Sequence, residues 1–239
     1  MPLVTFYFQL HQPFGLHPTR EKFLWDEVNR EIFLRFSELC YLPALGMFTE
    51  TIKKNPSFKI TLGLTGTFLE QAELYRPEVI IALRELLDAG TGNNQVECLD
   101  ETYYHSLASL YADPKKQEFR DQVSLHRDKL RILLGVVPSS FRNTELIYNN
   151  DIADVVADMG YLSVLAERRD EMITAEGNPT ASDRVFRGAR DRLIILLRDR
   201  PMSEAVTRLF PADPSPPETY GHRIAGSGGE VLLLGFDFE

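Results

Sequence analysis

SSFRNTELIYNN, residues Ser139–Asn150, is the stretch whose reading decides the fold. A short apolar, hydroxyl-rich run, Val136–Phe141, leads into it, and a helical pattern beginning near Asn150 leads away. Between them stand Arg142, Asn143, Thr144 and Glu145, four polar side chains where a buried strand hands over to a loop. In chains that repeat strand and helix, that handover forms the rim on which catalytic groups collect. Glu145 is therefore the first candidate, and the remaining chain reads as scaffold that brings other polar groups beside it.

Working outward, apolar runs of strand length recur at Leu3–Leu10, Lys59–Gly66, Val96–Leu99, Leu162–Ala166, Leu193–Leu197 and Glu230–Glu239, which makes seven with the run through Ser139–Phe141. The first stops at Pro13, which has no N–H to donate and holds Gln12 out of helix. Helical periodicity covers Arg30–Lys54 with a break at Pro43, Phe68–Tyr75, and Glu78–Ala89. Further helices open at Pro114 and run through Leu134 to a stop at Gly135, and span Asp151–Met159 with a cap at Gly160. Ala175–Arg192 reads as a loop or excursion. Phe210–Gly229 reads as a Pro-rich, then Gly-rich connection with a short helix over Glu218–Ile224. Alternating strands and helices call for an α/β fold with a parallel sheet, either closed into a barrel or open and doubly wound. Polar residues at several strand exits favour the barrel, and no GxGxxG follows the first strand to support a dinucleotide fold.

Length and charge narrow the function. At 239 residues the chain can bury a sizeable core as one domain, 1–239. A formal charge of −9 argues against nucleic acid or an anionic membrane as partner, because phosphate binding needs clustered Lys and Arg. A neutral ligand such as sugar is compatible with it. Cys40 and Cys98, far apart in apolar contexts, read as buried thiols of a reducing compartment. With no secretory signature and no apolar run of membrane-spanning length, the expected location is cytoplasmic.

Three further clusters could carry chemistry. His11 and Gln12 lie at the exit of the first strand, where an imidazole can bind a ligand hydroxyl, bind a metal, or simply satisfy a backbone group. Glu97, Glu101, Tyr103, Tyr104 and His105 combine aromatic faces for sugar C–H surfaces with carboxylate and imidazole for hydroxyls. The competing reading there is a capped helix start with packed tyrosines. Asp237 and Glu239 in the terminal FDFE share one face of the last strand, with Phe236 and Phe238 on the other. Glu145, oriented by Arg142 and Asn143, and Asp237 would supply the two carboxylates that glycoside cleavage needs, about 5–5.5 Å apart in a retaining enzyme. Metal-dependent deacetylation is poorly served, since His11 and His17 are six apart and no His-x3-His pair occurs. No metal or cofactor is expected.

Taken in order, HQPF at His11–Phe14, VECLDETYYHSL at Val96–Leu107, FRNTEL at Phe141–Leu146 and GFDFE at Gly235–Glu239 resemble the first four signature regions of glycoside hydrolase family 57, closest to its α-amylase-like branch. The resemblance implies a distorted (β/α)7 TIM-like barrel acting on α-1,4-glucans or maltooligosaccharides with retention. It maps the family's nucleophile onto Glu145 and its general acid/base onto Asp237. His11, Glu97 and His105 fall on positions that line the sugar site, and Gln12, Tyr103, Tyr104, Arg142 and Glu239 join them as expected substrate-binding residues. 4-α-Glucanotransferase and branching enzymes share these carboxylates, and a non-catalytic glucan-binding relative is the alternative of another class. The family's continuation past the fourth region and its fifth region do not appear. On that reading the chain is the N-terminal catalytic barrel of a longer enzyme, weakly active or inactive alone.

Overall fold

The computed structural model describes residues 2–19, 23–169, 181–188, 191–209 and 216–238. In chain order the elements are β1 (Leu3–Leu10), α1 (Asp26–Phe36), α2 (Leu42–Lys54), β2 (Ile60–Leu64), α3 (Gly66–Tyr75), α4 (Glu78–Gly90), β3 (Val96–Leu99) and α5 (Gln117–Leu134). They continue with β4 (Ser140–Arg142), α6 (Asn150–Asp158), β5 (Ser163–Glu167), β6 (Phe186–Gly188), β7 (Leu193–Arg198), α7 (Arg200–Glu204), α8 (Pro217–Gly226) and β8 (Val231–Asp237). Two compact units emerge, one made of Met1–Phe8 with Ser139–Asp237, the other of Gln9–Pro138 with Phe238–Glu239.

In the first unit the strand order is β1-β8-β7-β5-β4. β4, β5, β7 and β8 run parallel, with Phe141 opposite Val164, Leu165 opposite Leu196, and Arg198 opposite Leu233. Their C-terminal ends therefore share one edge. Near-continuous burial along Val231–Gly235 and Val164–Ala166 is what a sheet covered on both faces demands. The rings of Phe141 and Tyr161 meet at 5.2 Å beneath it. α6 starts where the Asn149 side chain accepts the amide of Ile152 at 2.8 Å, one residue before the expected start.

The excursion expected over 175–192 is only partly a loop. Residues 175–180 and 189–190 lie outside the described residues, but Phe186–Gly188 pairs antiparallel with Leu193–Ile195 as β6. β8 pairs with β7 only at Arg198, so β6 fills the remaining edge of the start of β7. The expected connection over 210–229 contains α8, slightly longer than anticipated, and its first six residues lie outside the described residues.

In the second unit β2 and β3 are parallel, from Ile60 opposite Val96 to Gly63 opposite Leu99. The expected break at Pro43 does not occur. Helix continues from α1 into α2 through a π turn at Ser37–Tyr41, and this widened turn accommodates Pro43, which has no N–H to donate, in the first turn of α2. α5 likewise opens at Gln117 instead of Pro114. Asp113 accepts the amides of Lys115 (3.0 Å) and Gln117 (2.7 Å), with Lys116 left-handed at φ +51°, so Pro114 belongs to a turn and the helix follows it. Phe33, Tyr41 and Phe68 form the aromatic core, with Tyr41 edge-on to Phe68 at 5.2 Å. Neither cysteine forms a disulfide. Cys98 is buried as expected, whereas Cys40 is only half-buried and its thiol donates to the Phe238 carbonyl at 3.1 Å. Among the described residues no helix is long and apolar enough to cross a membrane.

The bend between α2 and β2 hangs on one side chain. Buried Gln95, just before β3, directs Nε2 at the carbonyls of Ile52, Asn55 and Phe58, at 3.3, 2.9 and 2.8 Å. Gln95→Leu leaves those acceptors without their donor, and urea unfolding is expected to show a loss of about 1–3 kcal/mol.

Candidate active site

In the first unit, the exit of β4 is a tight turn. The Leu146 amide donates to the Asn143 carbonyl at 2.9 Å, the Ile147 amide to Thr144 at 3.2 Å, and the Asn143 side-chain amide to the Ile147 carbonyl at 3.0 Å. Glu145 and Leu146 both adopt left-handed backbone, φ +56° and +54°. Non-glycine residues rarely hold such angles. The turn buries Thr144 and Leu146 and leaves Glu145 exposed. Arg142 is buried, its guanidinium carbon 5.9 Å from the centre of the Tyr7 ring.

Asp237 ends β8, also exposed. Two residues earlier on the same face, the Gly235 carbonyl accepts Arg198 Nε at 3.0 Å. Arg198 also binds Glu167 at 3.0 Å, joining the exits of β7 and β5. A Cβ at Gly235 would lie 3.1 Å from the Arg198 side chain and 3.2 Å from Tyr7, so the close approach asks for glycine. Glu145, Glu167, Arg198 and Asp237 thus stand at four parallel strand exits of one unit. Sequence reasoning missed Glu167 and Arg198. The signal was available, since both are charged residues closing apolar runs.

In the second unit, Glu101 is fully buried. Gln9 Nε2 donates to both its carboxylate oxygens, at 3.0 and 3.3 Å, and His105 Nδ1 lies 3.4 Å from Oε2. His105 is left-handed at φ +55°, in a turn closed by its amide on the Thr102 carbonyl and by the Ser106 amide on Thr102 Oγ1, both 3.0 Å. Its ring stacks on His11 at 4.1 Å with 18° between planes. His11 Nδ1 in turn meets Thr65 Oγ1 at 3.0 Å, the hydroxyl that caps α3 through the amide of Phe68. Gln12 accepts the Gln71 side-chain amide on its carbonyl at 2.7 Å. The expected helix start after β3 is a turn instead, with α5 beginning sixteen residues after Glu101.

The two tyrosines have different fates. Tyr103 is buried under Gly66, where a Cβ would come within 2.5 Å of its ring. Its hydroxyl donates to Glu70 at 2.7 Å, and burial followed by that bond raises its pKa. Tyr104 is 53% exposed, its ring set edge-on to Tyr103 at 4.8 Å, so of the pair it is the one able to stack on a ligand. His11 and Tyr104 line a cavity of about 530 Å³ together with Phe14, Phe23, Tyr75, Asp26 and Glu70, among others. Glu97 is half-buried within β3 and is not among its lining residues. Glu239 lies outside the described residues.

Beneath Glu101 lies a cluster that the sequence reading did not anticipate. Asp100 is fully buried, with Oδ1 2.5 Å from His126 Nδ1 and Oδ2 3.2 Å from Arg127 Nε. His126 Nε2 meets the Leu64 carbonyl at 2.6 Å. His126 occupies an inward position of α5, in step with Phe119, Val123, Leu130 and Leu134. A polar residue on that apolar stripe was the available signal.

The chain matches the family model for glycosyl hydrolase family 57 over residues 5–239. The chain belongs to glycosyl hydrolase family 57. Within the family it is 31% identical, over 99% of its length, to a Methanocaldococcus jannaschii protein named "Putative alpha-amylase". Among solved structures it resembles a family 57 branching enzyme from Thermococcus kodakaraensis, with a TM-score of 0.72 at 12% identity. It also resembles the 4-alpha-glucanotransferase of Thermococcus litoralis, with a TM-score of 0.70 at 16% identity. All of this chain is covered in both, with 64% and 34% of those chains respectively. These likenesses show the fold, the distorted (β/α)7 barrel class of family 57. The chain spans about half, 51%, of the M. jannaschii protein.

For this family 57 chain, His126 sets a pH dependence. Burial alone would push its imidazole pKa down. The hydrogen bond and charge of Asp100, with smaller help from Glu101 and the Leu64 carbonyl, outweigh burial and raise it. A raised folded-state pKa contributes stability that is full below the unfolded value of about 6.5 and is lost as pH rises through the folded value. Urea midpoints are therefore expected to fall as pH climbs above about 6.5. His126→Gln, which takes up no proton, should flatten that slope; a wild-type profile already flat there would contradict the assignment.

Proposed function

We propose that this chain carries the catalytic carboxylates of a retaining, α-amylase-like glycoside hydrolase acting on α-1,4-glucans, with Glu145 as nucleophile and Asp237 as general acid/base. The observation that carries this reading is the pair itself: two exposed carboxylates at the C-terminal exits of parallel strands in one unit, Glu145 turned outward by two consecutive left-handed residues. Rim positions of this kind are where strand–helix folds keep their chemistry.

In the first step Glu145 attacks the anomeric carbon while the glycosidic C–O bond breaks, and Asp237 passes its proton to the departing oxygen. In the second, Asp237 removes a proton from water, whose oxygen displaces Glu145 from the anomeric carbon and restores both carboxyl groups. A sugar hydroxyl in place of that water would turn the same two residues to transfer, the activity named for the T. litoralis relative. Arg198, bound to Glu167 and to the Gly235 carbonyl, is proposed to fix the strand end that presents Asp237. His11, Gln12, Tyr104 and His105 are proposed to contact sugar hydroxyls and ring faces. The half-buried Glu97 and the buried Tyr103 would support them within the second unit, and the buried Arg142 is proposed to orient Glu145 within the first.

Maltooligosaccharide turnover by the full-length protein is the direct test. Glu145→Gln and Asp237→Asn should each lower kcat by about 10³-fold or more, with little change in thermal unfolding. Undiminished turnover by Glu145→Gln would remove the proposed nucleophile. Chromatography of the products then separates hydrolysis from transfer.

A further inference from the structure

Glu101 is a buried acid with no part in the proposed chemistry. It is wholly inaccessible to water, whereas the His105 side chain keeps 13% of its surface. A carboxylate so placed touches no ligand, and any effect it has on one must pass through the ring beside it. Both residues belong to the second unit, as do Gln9 and His11.

Gln9, near the end of β1, directs Nε2 at both oxygens of Glu101, 3.0 Å from Oε1 and 3.3 Å from Oε2. A protonated acid would carry an O–H on one of those oxygens; two accepting oxygens are the pattern of an ionised carboxylate. Oε2 in turn faces His105 Nδ1 at 3.4 Å. That separation is long for a hydrogen bond, but its sense is fixed, because a carboxylate oxygen only accepts. With the proton on Nδ1 a donor meets an acceptor; without it two lone pairs confront each other. The ring is held in this plane by the left-handed backbone of His105 at φ +55°, by the turn closed twice on Thr102, and by the stack on His11 at 4.1 Å with 18° between planes.

We propose that Glu101 is a positioning residue: oriented by Gln9, it holds neutral His105 in the Nδ1–H tautomer and so makes Nε2, the ring's other nitrogen, an acceptor. A neutral imidazole protonated on Nδ1 accepts a hydrogen bond at Nε2 and offers none there. The ring thereby selects a ligand group that donates, such as a hydroxyl, over one that only accepts, such as a carbonyl, ether or carboxylate oxygen. The tautomer rests on the contacts of these four side chains alone. That the donating group is a glucan hydroxyl rests on the proposed function.

Long-range nitrogen–proton NMR spectra of the full-length protein at about pH 8, above the ordinary histidine value of about 6.5, read the tautomer of each neutral ring. His105, assigned by the loss of its signals in His105→Gln, should carry its proton on Nδ1. Glu101→Gln should invert this: Gln9 takes the amide oxygen at the nearer position, and the NH2 then faces Nδ1, which must become the acceptor. The same variant should raise KM for maltoheptaose about tenfold, with kcat within about threefold. Adding Gln9→Glu gives that NH2 a carboxylate to bind and turns the amide oxygen back to His105. The Nδ1–H form should then return, with KM within about threefold of wild type. A wild-type ring protonated on Nε2 overturns the proposal, and that measurement needs no variant to fold. A proton that stays on Nδ1 in folded Glu101→Gln, or a loss confined to kcat, overturns it as well. If the tautomer follows Glu101 while the wild type turns over no α-glucan, the positioning role stands and the hydrolase reading falls.

Discussion

A carboxylate with no access to water is the constraint on which the second unit depends. Asp100 is wholly buried, and an ion so placed costs several kcal/mol unless its charge is met at close range. α5 meets it with two consecutive side chains, His126 on one oxygen and Arg127 on the other. His126 reaches past Asp100 to the Leu64 carbonyl at the end of β2, so one imidazole fastens two strand ends to a helix. Glu101 follows Asp100 directly, and its amide points at Asp100 Oδ1 from 3.2 Å. The row Glu101, His105, His11, Thr65 is thereby assembled on a foundation of two fully buried, paired side chains. Loss of the Asp100 pairing would reach the imidazoles through the backbone before it reached them through charge.

The first unit solves the equivalent problem with backbone instead. Its exits carry Glu145, Glu167 and Asp237, three acidic groups along one edge, and like charges so arranged repel. Arg198 offsets part of that by pairing with Glu167, and it does so while bonded to the carbonyl of Gly235. The absent side chain at Gly235 is what lets the guanidinium lie against β8. Arg198 is thus both a counter-charge and a strut, and the carbonyl it braces lies two residues before the proposed acid.

Much of this was legible from residue order alone, because parallel strands buried on both faces announce themselves as short apolar runs. Leu3–Leu10 and Val96–Leu99 fall where they were expected, and the other main strands differ by only a residue or two at either end. β6 was not legible: three residues with no alternation carry no periodic signal, and its pairing exists only because β8 leaves part of β7 open. Pro114 misled because a proline that suits a first helical turn equally suits the turn preceding it, and the Asp113 carboxylate decides between them. At the site, motif order singled out His11, Glu97, His105, Glu145 and Asp237 as candidates. It was silent on which of two adjacent tyrosines faces outward, since that depends on the absent Cβ of Gly66 nearly forty residues away. His126 was missed for a different reason. Its helical register marked it as inward-facing, but only the tertiary fold supplies the carboxylate that makes an inward histidine tolerable.

The groups proposed to do chemistry come from stretches where the strand has just ended, and there period-two alternation no longer aims a side chain. Something else must. At His105, Glu145 and Leu146 it is left-handed backbone, held without glycine. Such conformations cost on the order of 1–3 kcal/mol each and survive only when neighbouring contacts over-determine them. Those contacts are present: Thr102 closes the first turn with two hydrogen bonds, and Asn143 closes the second with its carbonyl and its side chain. Burial of Leu146 supplies the remaining force, since keeping that side chain in the apolar interior compels Glu145 to face out. Glycine would relieve the strain at either place and would also delete the carboxylate or imidazole being aimed. The strain is therefore tied to the identity of the residues that bear it, and the two turns lie in two of the four stretches that resemble signature regions of the family.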